Sequence, residues 1–207
     1  MAIIRLNNRA VKDATAVGSI TALGNLILIK TQTVSSGVSS VSFVNGASSV
    51  VLDNTYKEYI FTFNNIHPAT NNVKLECNFS SDTGSNYNVT KTSTAFVAYN
   101  RETSADFGLV YYEAHDLAQS TGYQSINHNI GNDNDQSVSG YLHLFEPSST
   151  VSVKHFLITS TSYQASDFAL QQHIGGYCNT TSAVDAIDFK MSSGNIDAGT
   201  ISLFGVA

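Results

Sequence analysis

Apolar and polar residues alternate along much of the chain, most clearly between residues 59 and 79 (YIFTFNNIHPATNNVKLECNF). Tyr59, Phe61 and Phe63 fall on one face of a first predicted strand, and Val73–Phe79 alternates in the same way. A period of two residues is typical of a strand with one buried face and one wet face. Asn, Pro and Thr dominate the stretch between the two strands and predict a polar turn, so we expect a hairpin here.

Similar short apolar segments recur at close spacing, and no helical periodicity competes with them. Turn signals such as Asn45-Gly46, Pro68, Gly175-Gly176 and Ser193-Gly194-Asn195 separate them. This arrangement predicts an all-β protein, an antiparallel β-sandwich of the jelly-roll type. The predicted strands are Val41–Val44, Val50–Leu52, Tyr59–Phe63, Val73–Phe79, Thr94–Tyr99, Gly108–Tyr112, Tyr141–Phe145, Val151–Ile158, Phe168–His173, Ala186–Met191 and Thr200–Phe204. The polar stretch 117–140 is predicted to be an exposed loop.

Residues 1–40 differ in composition from the rest and are predicted to form an N-terminal extended arm and linker before a sandwich domain at 41–207. Small and apolar residues dominate the arm, which includes the run LILI at 26–29, and no aromatic residue precedes Phe43. A segment without aromatic residues has little with which to build a core of its own. We therefore expect it to lie against a partner or against the main domain, with 33–40 as the linker.

Charge and length limit the classes of partner. The 207 residues suffice for one all-β domain, and only 13% of them are charged, against about 25% in average domains. Low charge is typical of surfaces covered by other copies of a protein, which favours an oligomer. The net charge is −6 and the ten basic residues are scattered, so the sequence predicts neither nucleic-acid binding nor attraction to anionic membranes.

The absence of a recognisable targeting signal and the low number of cysteines predict a protein made in the cytoplasm. The first residues lack the pattern of a signal peptide, and the apolar run 23–29 is too short to span a bilayer, so we expect no membrane insertion. Cys77 and Cys178 are the two cysteines, about 100 residues apart. Two buried free thiols are favoured, and a disulfide between them stays open at this point.

Asp133 and Asp135 are the weak candidates for a metal site. They lie in Gly-Asn-Asp-Asn-Asp at 131–135, where oxygen ligands fall on alternate residues as in calcium loops. The Gly and Glu that an EF-hand requires do not follow, and Asn and Asp are also ordinary turn residues. The sequence therefore favours a turn, with no metal and no cofactor.

Two other polar sets could suggest catalysis or metal binding. Glu113, His115 and Asp116 could form an acid–base set, but a surface cluster after a strand is favoured. His143 and His155 lie on neighbouring predicted strands, where they alternate with apolar residues, so half-buried histidines are favoured over a metal pair. No Gly-x-Ser-x-Gly or His-Glu-x-x-His motif is present. We expect no catalytic residues and no enzyme activity.

Several segments together resemble structural proteins of marine tailed bacteriophages, including phages of cyanobacteria. They are the segment 59–79 with its turn Phe-Asn-Asn-Ile-His-Pro-Ala-Thr-Asn, then GYLHLFEPSS at 140–149, VKHF at 153–156, GYCNTTSAVD at 176–185, FKMSSGN at 189–195 and the closing GTISLFG at 199–205. The resemblance covers roughly residues 55–205 and does not include the arm. It implies a virion surface protein with a β-sandwich head, and it carries no catalytic residues.

Two functions for such a protein stay open. One is a capsid decoration or head-appendage protein that residues 1–40 anchor to the major capsid protein. The other is a tail-fibre or spike module that recognises host surface glycan or protein and is held by a tail adaptor protein. About forty residues precede the predicted sandwich, which is short for a fibre stalk and favours decoration. A homotrimer suits either location, since cyclic assembly is common in such appendages.

Overall fold

The structure, a computed structural model, describes residues 25–103 and 105–207. The described residues form thirteen β-strands and one 3-10 helix, Glu113–His115. The strands are β1 Leu26–Val34, β2 Ser40–Val44, β3 Glu58–Pro68, β4 Leu75–Ser80, β5 Lys91–Arg101, β6 Phe107–Tyr111, β7 Leu117–Ser120, β8 Gln124–Ser125, β9 Val138–Phe145, β10 Lys154–Gln164, β11 Phe168–Cys178, β12 Ala186–Met191 and β13 Ile196–Val206.

The strands form two antiparallel sheets that pack face to face. A nine-stranded large sheet has the order β1-β13-β3-β9-β10-β11-β5-β6, with β7 also paired to β5. A four-stranded small sheet has the order β2-β12-β4-β8. Each strand of the small sheet lies in sequence between strands of the large sheet, so the chain crosses repeatedly from one sheet to the other. The predicted antiparallel sandwich is confirmed, and this strand order is compatible with a jelly roll.

The core lies between the inner face of the large sheet and the small sheet. Aromatic rings from both sheets meet there: Phe61 lies 5.4 Å from Phe43, and Phe79 lies 5.4 Å from Phe156, between ring centroids. Phe189 of β12 contacts Phe61 at 5.6 Å. All five rings are fully buried. Because burial of one such ring stabilises a fold by about 1.5–3 kcal/mol, this cluster is a main source of stability.

The predicted hairpin between residues 59 and 79 is wrong. Its first strand is part of β3, which pairs with β13 and β9 in the large sheet. Its second strand is β4, which pairs with β12 and β8 in the small sheet. Both strands turn their apolar faces to the same core, but from opposite sides. The polar connection between them is therefore a corner of the sandwich.

The predicted boundary at residues 40 and 41 also needs correction. Leu26–Val34, predicted as part of the arm, form β1 and pair with β13 along nearly their whole length. Val38, in the predicted linker, exchanges two backbone hydrogen bonds with Ile196. The sandwich therefore begins at β1. Of the two positions expected for the arm, against a partner or against the main domain, β1 occupies the second. The predicted arm before residue 25 lies outside the described residues.

The prediction that the stretch 117–140 is an exposed loop is wrong, because the stretch contains strands and contributes side chains to the core. It contains β7, β8 and the start of β9, and Ile126 and Ile130 are fully buried. Its polar side chains bond the backbone: Gln124 donates to the carbonyl of His115 at 2.8 Å, and the amide oxygen of Asn127 accepts from the Leu75 N–H at 2.8 Å. Polar composition indicated exposure here because it cannot distinguish solvated amides from buried, paired ones.

Candidate functional surface and pocket

The outer face of the large sheet, which points away from the small sheet, carries two continuous rows of side chains without an acidic or basic residue other than histidine. Row 1 follows cross-strand partners through seven strands, and row 2 through eight. Row 1 is Leu28, Phe204, Ile60, His143, Leu157, Gly175 and Thr94. Row 2 is Thr31, Ser202, Thr62, Tyr141, Thr159, His173, Phe96 and Tyr111. At about 4.8 Å between strands, these rows extend roughly 30 Å.

Large apolar side chains in these two rows remain exposed. Leu157 is 52% exposed and lies in the middle of row 1, while Phe96 and Tyr111 at the end of row 2 are 44% and 60% exposed. Phe96 stacks on the ring of His173 with centroids 5.0 Å apart. Exposed large apolar side chains grouped on one sheet face, with Thr, Ser, Gly and His between them, are typical of an interaction surface.

One histidine in rows 1 and 2, His143, contacts a carboxylate. The Nδ1 atom of His143 lies 2.6 Å from a carboxylate oxygen of Glu58, which neighbours the rows on β3. Because each side chain is about 28–29% exposed, this contact orients the imidazole more than it stabilises the fold. His143 and His155 do lie on paired strands, β9 and β10, as expected. His143 is half-buried as predicted, but the same prediction is wrong for His155, which is exposed, and neither residue belongs to a metal-binding group among the described residues.

A pocket of about 270 Å³ opens on the inner side of the large sheet, beyond the small sheet. Val97 and Leu170 form its floor and are 2% and 7% exposed, yet they do not belong to the main core cluster. Aromatic side chains form its walls, and the polar residues Asp106 and Gln164 complete the lining. The lining consists of Val97, Tyr99, Asp106, Val110, Tyr112, His128, Gln164, Phe168 and Leu170.

Two hairpins position this pocket. The β5–β6 hairpin contributes Tyr99 and Asp106, and the β10–β11 hairpin contributes Gln164 and Phe168. The two hairpin ends are joined by a hydrogen bond from the Glu102 N–H to a backbone carbonyl of the neighbouring hairpin, 2.9 Å long. The rings of Tyr99 and Phe168 pack edge to face with centroids 6.0 Å apart. The aromatic walls therefore come from two separate parts of the sequence.

A polar cluster supports the back of the pocket, in which His115 and Gln172 are buried and Tyr112 and His128 are half-buried. The Tyr112 hydroxyl and His128 Nε2 share a hydrogen bond of 2.7 Å, and the Tyr112 ring also contacts the ring of His115 at 4.6 Å. His115 Nδ1 is bonded to the amide oxygen of Gln172 at 3.1 Å. Burial lowers the pKa of His115 to about 4 and also lowers the pKa of His128. Both imidazoles are therefore neutral at pH 7.

The set Glu113, His115 and Asp116 is not a surface cluster as a whole. His115 is only 3% exposed, which contradicts that prediction for this residue. Asp116 accepts a hydrogen bond from the hydroxyl of Tyr111, and Glu113 is exposed at the start of the 3-10 helix. The imidazole of His115 and the carboxylate of Asp116 therefore have different hydrogen-bond partners.

Asp133 and Asp135 are both exposed, in the connection that precedes β9. The carbonyl of Asp133 lies 3.2 Å from His67 Nε2 and accepts the Gln136 N–H at 2.8 Å, as in an ordinary turn. Asp135 lines a wide polar depression together with His67 and Asp197. Within residues 25–103 and 105–207, no three His, Cys, Asp or Glu side chains are grouped closely enough to hold a metal ion.

Cys77 and Cys178 are free and buried, as favoured from the sequence. Burial raises the pKa of both thiols, in Cys178 to about 12. In the described part of the chain, no helix is long and apolar enough to cross a membrane.

Sequence reasoning did not identify rows 1 and 2 or the pocket. A signal for the rows does exist, because VKHFLI at 153–158 and GLVYY at 108–112 carry apolar residues on both strand faces. Such strands are typical of sheets covered on both sides. The pocket has no comparable local signal, since its lining residues come from five separated segments.

Comparisons of the chain with protein-family models, with curated proteins and with solved structures find no match in any of the three. Function is therefore inferred from the residues themselves and from the geometry of rows 1 and 2 and of the pocket.

Proposed function

We propose that this protein is a non-enzymatic structural protein of a tailed-phage virion. It is exposed on the particle as a capsid decoration or head appendage that assembles as a homotrimer and is anchored through its N-terminal residues. The virion role rests on the sequence resemblance over residues 55–205. Self-assembly rests on rows 1 and 2 of the large sheet.

The single observation that supports self-assembly is the run of outer-face positions without Asp, Glu, Lys or Arg across seven and eight strands. Interface cores are depleted of such residues and enriched in aromatic ones, as these rows are. A second copy of the chain is a suitable cover because the overall charge fraction is also low, at 13%. Cyclic symmetry would bury the same face on every subunit.

The mass of the protein in solution tests self-assembly. The full chain is 22.2 kDa, and light scattering after gel filtration should give about three times that mass. Leu157→Lys places a charge in the middle of row 1 and should yield monomers. Val151→Lys is the matched control because Val151 is 83% exposed and lies outside both rows, so this variant should stay assembled. A monomeric wild type, or an assembled Leu157→Lys variant, would contradict the proposal.

Copy number in purified particles tests the location. Quantitative mass spectrometry that finds on the order of hundreds of copies per particle, as decoration of a symmetric shell requires, supports decoration. A small multiple of six indicates the tail. Absence of the protein from purified particles would contradict the virion role.

A tail-fibre or spike module that binds host glycan or protein is the second candidate. The observation that favours it is the aromatic pocket between the β5–β6 and β10–β11 hairpins, because a decoration protein needs no ligand site.

A further inference from the structure

We propose that the pocket between the two hairpins binds one neutral hexopyranose unit of a glycan. This deepens the second candidate function and does not depend on self-assembly, because the pocket lies on the inner side of the large sheet and rows 1 and 2 lie on the outer side.

The walls of the pocket match the two kinds of surface on a pyranose. Such a ring has faces of C–H groups and an edge of hydroxyl groups. Tyr99, Phe168 and Tyr112 offer aromatic surface to the C–H face, while Asp106 and Gln164 offer polar groups for the hydroxyls. Mostly apolar walls with a few orienting polar groups are the usual composition of small-molecule sites.

The size of the pocket limits the ligand to a single ring. Its volume of about 270 Å³ lies near the lower end of the range for ligand pockets, about 300–1,000 Å³. The wide polar depression at Asp135 is larger, at about 560 Å³, but acidic residues and amides line it, and His67 is the one aromatic side chain that the described part of the chain contributes to it. The smaller pocket is therefore the better match to a sugar ring.

Charge selects a neutral ligand. Among residues 25–103 and 105–207, Asp106 is the one acidic residue in the lining, and no Lys or Arg of these residues lines the pocket. A carboxylate at the rim accepts hydrogen bonds from hydroxyls and disfavours phosphates, sulfates and acidic sugars. The Oε1 atom of Gln164 already accepts the Ser166 N–H at 3.2 Å, which leaves its NH₂ group to donate.

The aromatic wall is held in place before a ligand binds. The ring of Tyr99 lies across Gly108 of β6, where a Cβ atom would come within 3.0–3.2 Å of the phenol. The guanidinium of Arg101 lies 5.2 Å from the centroid of the Phe168 ring, and the Tyr112 hydroxyl is bonded to His128. Because these rings need little reordering, binding costs little side-chain entropy.

Saturation-transfer and backbone-shift NMR on the full chain test the proposal. The probes are the methyl glycosides of glucose, galactose, mannose and N-acetylglucosamine, each tested alone, with adenosine as a flat aromatic ligand. At least one glycoside should bind with a Kd of about 1 mM, with shift changes at Val97, Val110 and Leu170. No binding by any glycoside, changes confined to other residues, or preferential binding of adenosine would overturn the proposal.

Two variants of pocket residues and one control variant test whether the glycoside binds in this pocket. Phe168→Leu removes an aromatic wall and should weaken binding about tenfold, the effect of roughly 1.4 kcal/mol. Asp106→Asn removes the rim carboxylate from an exposed turn position, so folding is retained and binding should weaken severalfold. Asp135→Asn alters an exposed aspartate outside the pocket and should bind as the wild type does. Unchanged binding in both pocket variants would overturn the proposal.

The two proposals fail separately. If the glycosides do not bind but Leu157→Lys dissociates the oligomer, the pocket proposal alone is wrong. If a glycoside binds to a wild type that is monomeric, the self-assembly proposal alone is wrong.

Discussion

The ammonium group of Lys91 donates a hydrogen bond of 2.5 Å to the amide oxygen of Asn78, and neither side chain is exposed to solvent. Lys91 belongs to the large sheet and Asn78 to the small sheet, so the bond joins the two sheets. Lys91 also donates to the carbonyl of Val89 at 2.8 Å. Burial lowers the pKa of Lys91, because desolvation disfavours the charged form.

Removing Lys91 should destabilise the protein much less than removing Asn78. In Lys91→Met the Asn78 oxygen still accepts the Phe79 N–H at 2.9 Å, so the free energy of unfolding should change by less than about 1.5 kcal/mol. Asn78→Leu leaves a buried ammonium poorly paired and also removes the donor to the Tyr87 and Thr121 carbonyls. It should cost about 3–5 kcal/mol.

Urea denaturation of the two single variants and the double variant measures this asymmetry. The double variant should be more stable than Asn78→Leu, because it no longer carries a buried charge. Equal losses in the two single variants, or a double variant less stable than Asn78→Leu, would show that the ammonium group does not decide the energetics.

Two adjacent glycines in β11 should respond oppositely to alanine. A Cβ atom at Gly176 would lie 2.5 Å from the Phe156 ring and 2.8 Å from the Thr92 carbonyl, so Gly176→Ala should cost about 1–3 kcal/mol. A Cβ atom at Gly175 would meet Leu157 at 3.6 Å, an ordinary contact. Gly175→Ala should therefore stay within about 0.5 kcal/mol of the wild type in thermal or urea unfolding. Similar losses at both positions would contradict the packing of β10 on β11.

Stability should decrease on acidification because of His115. Its pKa is lowered from 6.5 to about 4 by burial, so the unfolded chain binds a proton in this window and the folded protein does not. The contribution of His115 is complete above pH 6.5 and is lost progressively as the pH falls towards 4. The total loss should be roughly 1–3 kcal/mol. Unfolding free energies at several pH values between 4 and 7 measure it.

His115→Gln should reduce this dependence on pH, while His128 keeps its own share because burial lowers its pKa as well. His155→Gln is the matched control, since His155 is exposed on the outer face. A His115→Gln variant with the slope of the wild type would show that burial does not lower the pKa of this imidazole in the folded state.

Both cysteines should be unreactive in the folded protein. The thiolate is the nucleophile, and burial raises the pKa of both thiols, that of Cys178 to about 12. With an aromatic disulfide reagent near pH 8, we expect modification only as fast as the protein unfolds, and complete modification of both thiols in denaturant. Thr150→Cys supplies an exposed control thiol that should react at once. Rapid reaction of the native cysteines would contradict their burial.

Local alternation predicted the strands well where one strand face is buried. The predicted strand Ala186–Met191 coincides with β12 at both ends, and Tyr59–Phe63 lies within β3. Val50–Leu52 is not a strand, although Val50 and Leu52 are buried. The apolar pattern of this segment indicated burial correctly, but a buried segment need not pair with another strand.

The sequence pattern could not assign strands to sheets. Phe61 and Cys77 both point into one core, and their alternation is the same whether they lie side by side or on opposite sheets. The pocket shows the same limit, since Tyr99 and Phe168 are distant in sequence and meet only because β5 and β11 pair.

The sequence by itself determined the class of structure, because the period of two and the frequent turn residues are local properties of the backbone. It also determined the low charge, and it supplied the resemblance to phage structural proteins, whereas the free state of Cys77 and Cys178 was only favoured until the structure showed it. Only the tertiary structure decided which strands are neighbours. That choice places Leu157 and Phe96 in exposed rows and encloses the pocket, because both depend on contacts between residues far apart in the chain.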